Sequence, residues 1–127
     1  MTDGLCLDAG ALIAVERGDA RVRAMVRGAL DAGSTLDIPC TVLAQVWRER
    51  GPRQSRVSAL LGAEGVGLPA LDAETAKAVG ALCGRTHTSD VVDAHVAVHA
   101  MARKLAVVTS DPDDISSLAP RLELVRV

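Results

Sequence analysis

Apolar positions along the chain fall alternately into short runs and helical repeats. Leu5 to Leu7 form an apolar run that ends at Asp8 and predicts a strand; Ala11, Leu12, Ile13 and Val15 follow as a helical stretch that Gly18 can stop. Asp19 is placed to cap a second helix, Ala20 to Ala32, in which Val22, Met25, Val26, Ala29 and Leu30 recur at helical spacing before Gly33. Leu36 to Ile38, ahead of Pro39, reads as a short strand. Val42, Leu43, Val46 and Trp47 mark a third helix, which Gly51-Pro52 separates from a fourth containing Val57, Leu60 and Leu61. Val66 to Leu71 is expected to be extended. Asp72 opens a helix through Leu82 that Gly84 stops, and Thr88 or Ser89 caps a long helix from Asp90 to about Lys104. Leu105 to Thr109 is a buried strand. Asp111-Pro112 begins a short helix, because the fixed φ of proline suits the first helical position, and Leu122 to Val127 closes as a strand.

Strands that alternate with helices through crossovers predict an α/β fold in three layers, a mostly parallel central sheet flanked by helices. With 127 residues the chain is expected to form one domain over 1–127. Hydrophobic residues at 49% and charged ones at 24% match a folded soluble chain rather than a disordered one. No apolar run approaches the roughly 18 to 20 residues of a membrane span, and Met1 to Asp8 lacks a basic leader, so no membrane is implied and a cytoplasmic location is expected. Cys6, Cys40 and Cys83 are odd in number, have no C-x-x-C spacing, and read as small buried hydrophobes of a reducing compartment.

Four aspartates carry the candidate chemistry. In open parallel sheets the functional crevice lies beyond the carboxyl ends of the strands, and Asp8 and Asp111 follow two predicted strands there. Asp90 and Asp93, three apart at the start of the long helix, share a face of an otherwise apolar segment. Carboxylates brought within a few ångströms repel unless a cation offsets them, and hard oxygen donors suit Mg²⁺ or Mn²⁺. Helix capping competes with this reading: Asp111 before Pro112 and Asp90 before an apolar helix are both good N-caps.

The remaining signals narrow the class. A single aromatic residue, Trp47, leaves no ring platform for stacking bases, so nucleic-acid binding would be electrostatic. The net charge of −2 gives no global sign of a polyanion partner, but Arg48, Arg50, Arg53 and Arg56 cluster beside Trp47 as candidate phosphate contacts, with a solvated helix face as the competing reading. His95 and His99 are four apart, yet the helical wheel turns them away from Asp93, which argues against a zinc pair. A lone loop histidine such as His87 reads as surface. No G-x-S-x-G, placed Cys-His pair or phosphate loop is present.

L-C-L-D-A-G-A-L-I-A, I-P-C-T-V-L-A-Q-V-W-R, T-S-D-V-V-D-A-H-V-A and V-V-T-S-D-P-D-D-I, in this order from Leu5 to about Leu118, resemble a PIN-domain ribonuclease and more narrowly the VapC toxins of toxin-antitoxin pairs. The resemblance implies a Mg²⁺ or Mn²⁺ site of acidic residues, endonucleolytic cleavage of RNA, a homodimer, and silencing by a VapB-type antitoxin. By position Asp8, Asp93 and Asp111 match the catalytic, metal-binding acids, and Asp90 is a supporting metal ligand. The second motif departs from the family in having Gln45 where Glu is usual. Asp90, or Glu49 four residues on and so on the same helical face, is a candidate to restore the charge; the alternative is a catalytically weak or inactive binding module that retains antitoxin or RNA binding. Ala11 to Val15 and Leu43 to Trp47 are candidate docking surfaces for the partners.

Overall fold

Alternating patterns become alternating elements in the computed structural model, which describes residues 3–127. The order is β1 (Gly4–Leu7), α1 (Ala9–Glu16), α2 (Ala20–Asp31), β2 (Thr35–Asp37), α3 (Cys40–Val46), a 3-10 turn (Gly51–Gln54), α4 (Ser55–Leu61), β3 (Val66–Gly67), α5 (Ala73–Thr86), α6 (Val91–Arg103), β4 (Ala106–Thr109), α7 (Pro112–Leu118) and β5 (Leu124–Arg126). The five strands pair in parallel in the order β3-β2-β1-β4-β5, with Leu5 opposite both Leu36 and Ala106, and Val107 opposite Leu124. All four residues of β4 are buried, the near-continuous apolar run expected of an interior parallel strand covered on both faces. The edge strands β3 and β5 are short and only half-buried or more exposed, which limits pairing with other chains.

From β1 the chain moves outward to β2 and β3, then returns across β1 to place β4 on its other side. The order therefore reverses between β1 and β4, where a crevice opens at the strand carboxyl ends. Helix α6 lies between two apolar clusters. Its Val96 and Ala100 join the main core with Leu7, Leu12, Leu36 and Val107, while Ala94 and Ala97 pack with Val79, Leu82 and Leu118 of α5 and α7. Burial on both sides fixes the helix that carries two of the candidate acids.

Several boundaries differ from the sequence reading. Helix α5 continues through Gly84, which is exposed and costs only about 1 kcal/mol in a helix whose Val79 and Leu82 are buried; His87, left-handed at φ 57°, ends it by donating its N–H to the Cys83 carbonyl. The N-cap of α6 is Asp90, whose Oδ1 accepts from the Asp93 amide at 3.0 Å, while Thr88 accepts from the Asp90 amide one step upstream. The expected extended run Val66 to Leu71 shrinks to two residues: Pro69 has no N–H, its carbonyl takes the Cys40 amide, and Leu68 and Leu71 are exposed.

The proposed docking surface Ala11 to Val15 is largely core instead, with Ala11 and Leu12 fully buried and Val15 nearly so; of Leu43 to Trp47, Val46 is buried. Those core residues cannot present themselves to a partner, whereas Ile13, Ala14, Leu43 and Trp47 are half-buried. Cys6 is fully buried, whereas Cys40 and Cys83 are half-buried. No helix is long and apolar enough to cross a membrane among the described residues.

Candidate active site

Asp8 stands at the carboxyl end of β1, and its amide donates to the Val108 carbonyl of β4, so the first acid is anchored at the reversal of strand order. It is also the N-cap of α1: Oδ1 accepts from the Ala11 amide at 2.8 Å. Burial pushes its carboxyl above the ordinary range. Hydrogen bonds from the Thr109 hydroxyl and the amides of Ala11 and Gly10 pull it back, and the charge of Asp111 pushes it up again.

Thr109 closes β4 and is fully buried; its hydroxyl accepts the Asp111 amide at 2.8 Å. One side chain thus serves both the Asp8 carboxylate and the backbone that carries Asp111. Asp111 sits at the N-cap position of α7 but makes no capping hydrogen bond with its side chain, so its exposed carboxylate is uncommitted. The capping interpretation holds for Asp90 and not for Asp111.

Asp93 lies in the first turn of α6. Its carboxyl is pushed up to about 7, first by burial, then by the charge of Asp90, by a hydrogen bond to Asp90 that needs the proton, and by the charges of Asp8 and Asp114. Asp8, Asp93, Asp111 and Asp90 are therefore brought into one electrostatic neighbourhood from three separate stretches of backbone. Asp114 joins them from the first turn of α7.

The second motif does not supply a replacement acid. Gln45 is exposed in the last turn of α3, and its side chain makes no hydrogen bond among the described residues. Helix α3 stops at Val46, Trp47 is extended, and Glu49 is left-handed at φ 52°, so Glu49 does not share a helical face with Gln45. Glu49, one of the two candidates to restore the charge, is off the helical face of Gln45 because the helix has already ended.

The arginines form a different structure from the expected phosphate track. Arg50 pairs with Glu16 at 2.9 Å, Arg56 donates to the Glu16 carbonyl, Arg48 folds back onto the carbonyls of Ala44 and Trp47, and Arg53 is exposed. Glu16 ends α1, whereas Asp8 caps its start, an axial separation of roughly 12 Å. The cluster and the acids therefore occupy opposite ends of one helix. Gln54 organises the cluster from within: fully buried, its amide donates to Glu16 and the Val46 carbonyl and accepts from the amides of Arg48 and Arg50, using all four of its hydrogen-bonding positions.

The histidines of α6 hold the helix in place. His95 Nδ1 meets Thr41 Oγ1 of α3 at 2.7 Å, and His99 Nε2 meets Asp37 Oδ2 at the end of β2, also at 2.7 Å.

The sequence matches the PIN domain family over residues 5–119. The chain belongs to the PIN domain family. Chains of the same fold occur in the VapBC2 complex of Rickettsia felis bound to a DNA fragment from its promoter, at TM-score 0.74 and 17% identity over 97% of this chain and 98% of that one. Another occurs in FitAB bound to an IR36 DNA fragment, at TM-score 0.60 and 13% identity over 96% and 94%. No curated protein sequence matches the chain. Within this PIN domain, sequence reasoning missed Thr109, Asp114 and Gln54. The hydroxyl in T-S-D and the last acid of D-P-D-D were visible signals for the first two, but nothing local in the sequence marks Gln54.

Proposed function

We propose that this PIN domain is a metal-dependent endoribonuclease of the VapC toxin type, restrained by a VapB-type antitoxin. The observation that carries the reading is the convergence of Asp8, Asp93 and Asp111 at the β1/β4 reversal, with Asp93 pushed up to about 7 by burial and its acidic neighbours. Its donors are carboxylates, the hard oxygen set that suits Mg²⁺ or Mn²⁺. Among the described residues no three His, Cys, Asp or Glu side chains group closely enough to enclose a metal ion, so the set fits a cation that binds through one or two carboxylates and keeps its waters. Asp8 and Asp93 would hold it, with Asp111 beside them and Asp90 in support; Asp8 and Asp90 each have one oxygen committed to a cap and the other left for the cation.

When bound, the cation supplies Lewis-acid charge at a scissile phosphodiester. The chain's own residues orient the reaction. Thr109 holds Asp8 and Asp111 in register, the buried α6 fixes Asp93, and the raised Asp93 can hold a proton near neutral pH until a cation displaces it.

The antitoxin reading rests on the PIN fold being met in the VapBC2 and FitAB complexes and on a groove between α2 and α4. This cavity of about 710 Å³ has Val26, Leu30 and Leu60 in its walls and Arg23, Arg27 and Arg56 among its lining residues, which suits an apolar segment bearing acids. A homodimer, with Ala11, Leu12 and Val15 buried, would draw on exposed apolar residues such as Leu68, Leu71, Val91 and Met101.

The exposed Gln45, with no Glu49 beside it on the helix, favours a second reading, a weak or inactive module that keeps antitoxin or RNA binding. Incubating the partner-free protein with total RNA decides between them. Discrete fragments with Mg²⁺ or Mn²⁺, lost with EDTA and in Asp8→Asn, are expected of the enzyme; intact RNA under every metal would leave the binding module.

A further inference from the structure

Two cavities adjoin the acids, and they differ in charge. One, of about 210 Å³, is lined by Asp90, Asp93 and Asp114 with the hydroxyls of Thr86, Thr88 and Ser117, and contains no cation. A nucleic-acid strand entering there would set its phosphates against three carboxylates. The other, of about 470 Å³, begins at Gly10 and Ser110 and runs past Ile13 and Ala14 to Arg17 and Asp19. Its residues on α1, at positions 10, 13, 14 and 17, form one helical face.

The near end of this furrow is formed by chain neighbours of the acids rather than by the acids themselves. The Gly10 amide is one of the groups that hydrogen-bond Asp8, and Ser110 stands between Thr109 and Asp111. A Cβ on Gly10 would collide with Ser110 Oγ, so the Ser110 side chain packs directly against the helix where the furrow begins. At the far end Arg17 is exposed and forms no ion pair among the described residues, unlike Arg50. Asp19 has one carboxylate oxygen committed to the Val22 amide of α2. Along the helix Arg17 lies roughly 10 Å beyond Gly10.

We infer that the furrow along α1 is the path of single-stranded RNA away from the acids, with Arg17 binding a backbone phosphate. Ile13 and Ala14 supply apolar contact for sugar and base, since the chain has no aromatic platform there. The inference rests on the ribonuclease reading and names the substrate-binding surface that goes with it, in place of the arginines tied up at Glu16.

The test uses the full chain carrying Asp8→Asn, which keeps a capping side chain while preventing turnover. Its binding to a short fluorescein-labelled oligouridylate is followed by anisotropy from about 50 to 200 mM salt. Adding Arg17→Gln is expected to weaken binding roughly threefold and to lower the magnitude of the log-log salt slope by about 0.7, the share of one phosphate on a single strand. Arg17→Lys should retain the slope. Arg103→Gln, an equal charge change at the far end of α6, should leave both values unaltered. In the cleaving protein, Arg17→Gln should raise KM and leave kcat in place. Equal slopes with and without Arg17, or an equal loss in Arg103→Gln, would overturn the inference. A wild type that neither cleaves RNA with any metal nor binds the oligonucleotide would instead overturn the ribonuclease reading and the furrow with it.

Discussion

Thr109 shows how one small side chain can set the spacing of two charges. Its hydroxyl accepts from the Asp111 amide and hydrogen-bonds the Asp8 carboxylate, inside a strand end with no access to water. Valine has nearly the same shape but would leave a buried amide and a buried carboxylate oxygen without this partner. Thr109→Val should therefore cost about 1–3 kcal/mol in urea unfolding and reduce RNA cleavage, while Thr109→Ser should restore most of both. If valine matched wild type in both measurements, Thr109 would have no part in holding the acids. Gln54 follows the same logic at the opposite end of α1, where one buried amide satisfies two backbone donors, one carbonyl and one carboxylate.

At the scale of the element, helix starts perform two tasks at once. Asp8 caps α1 and Asp90 caps α6, so the positive ends of both helices are aimed at carboxylates that also crowd one another. The two tasks of Asp90 can be separated by substitution. Asp90→Asn keeps the cap and removes a charge beside Asp93; Asp90→Ala removes both. Thermal unfolding should show a loss of about 1 kcal/mol for alanine and little or none for asparagine. Calorimetry should show both variants binding Mn²⁺ with their affinities altered alike, because each lacks the same charge. A Mn²⁺ affinity that separates the two variants would mean that the cap, rather than the charge, governs the cation. Element boundaries matter here as well: one more turn at the end of α3 would have put Glu49 above Gln45, and the chain turns away at Trp47 instead.

At the scale of the whole molecule, the parallel order β3-β2-β1-β4-β5 places the acids where two strand ends and two helix starts meet, and their mutual repulsion becomes a property of the fold. Asp93 has a pKa of about 7 in the folded protein against an ordinary value of 3.8, and Asp8 is shifted in the same direction. Between those values the folded chain binds more protons than the unfolded one, so stability is fully present at acidic pH and is lost as pH rises through about 7. Burial lowers the pKa of His95, the effect being strengthened by His99 and opposed by Asp72, and its contribution is lost in the other direction, as pH falls below 6.5. The window from about pH 6.5 to 8 therefore isolates the acids. In EDTA, Tm should fall across it, Mn²⁺ should reduce the fall, and Asp93→Asn should flatten it. A Tm that stays level in EDTA for the wild type would show that the carboxylates do not share one site.

The sequence by itself determined the succession of strands and helices, the parallel α/β class, and the positions of Asp8, Asp93 and Asp111, because apolar periodicity and strand-end placement are local patterns and the four PIN motifs stand in order along the chain. Tertiary structure decided which of those groups were free. Asp111 is uncommitted where Asp90 is a cap, and Glu49 is lost to the end of a helix. Arg50 and Arg56 are bound to Glu16, whereas Arg17 is exposed at the far end of the furrow along α1. Sequence spacing fixes what lies on one face of one helix. Whether a charge meets a partner, a competing charge or open solvent depends on residues dozens of positions away, and only the packing of α1, α3 and α6 around β1 and β4 brings those together.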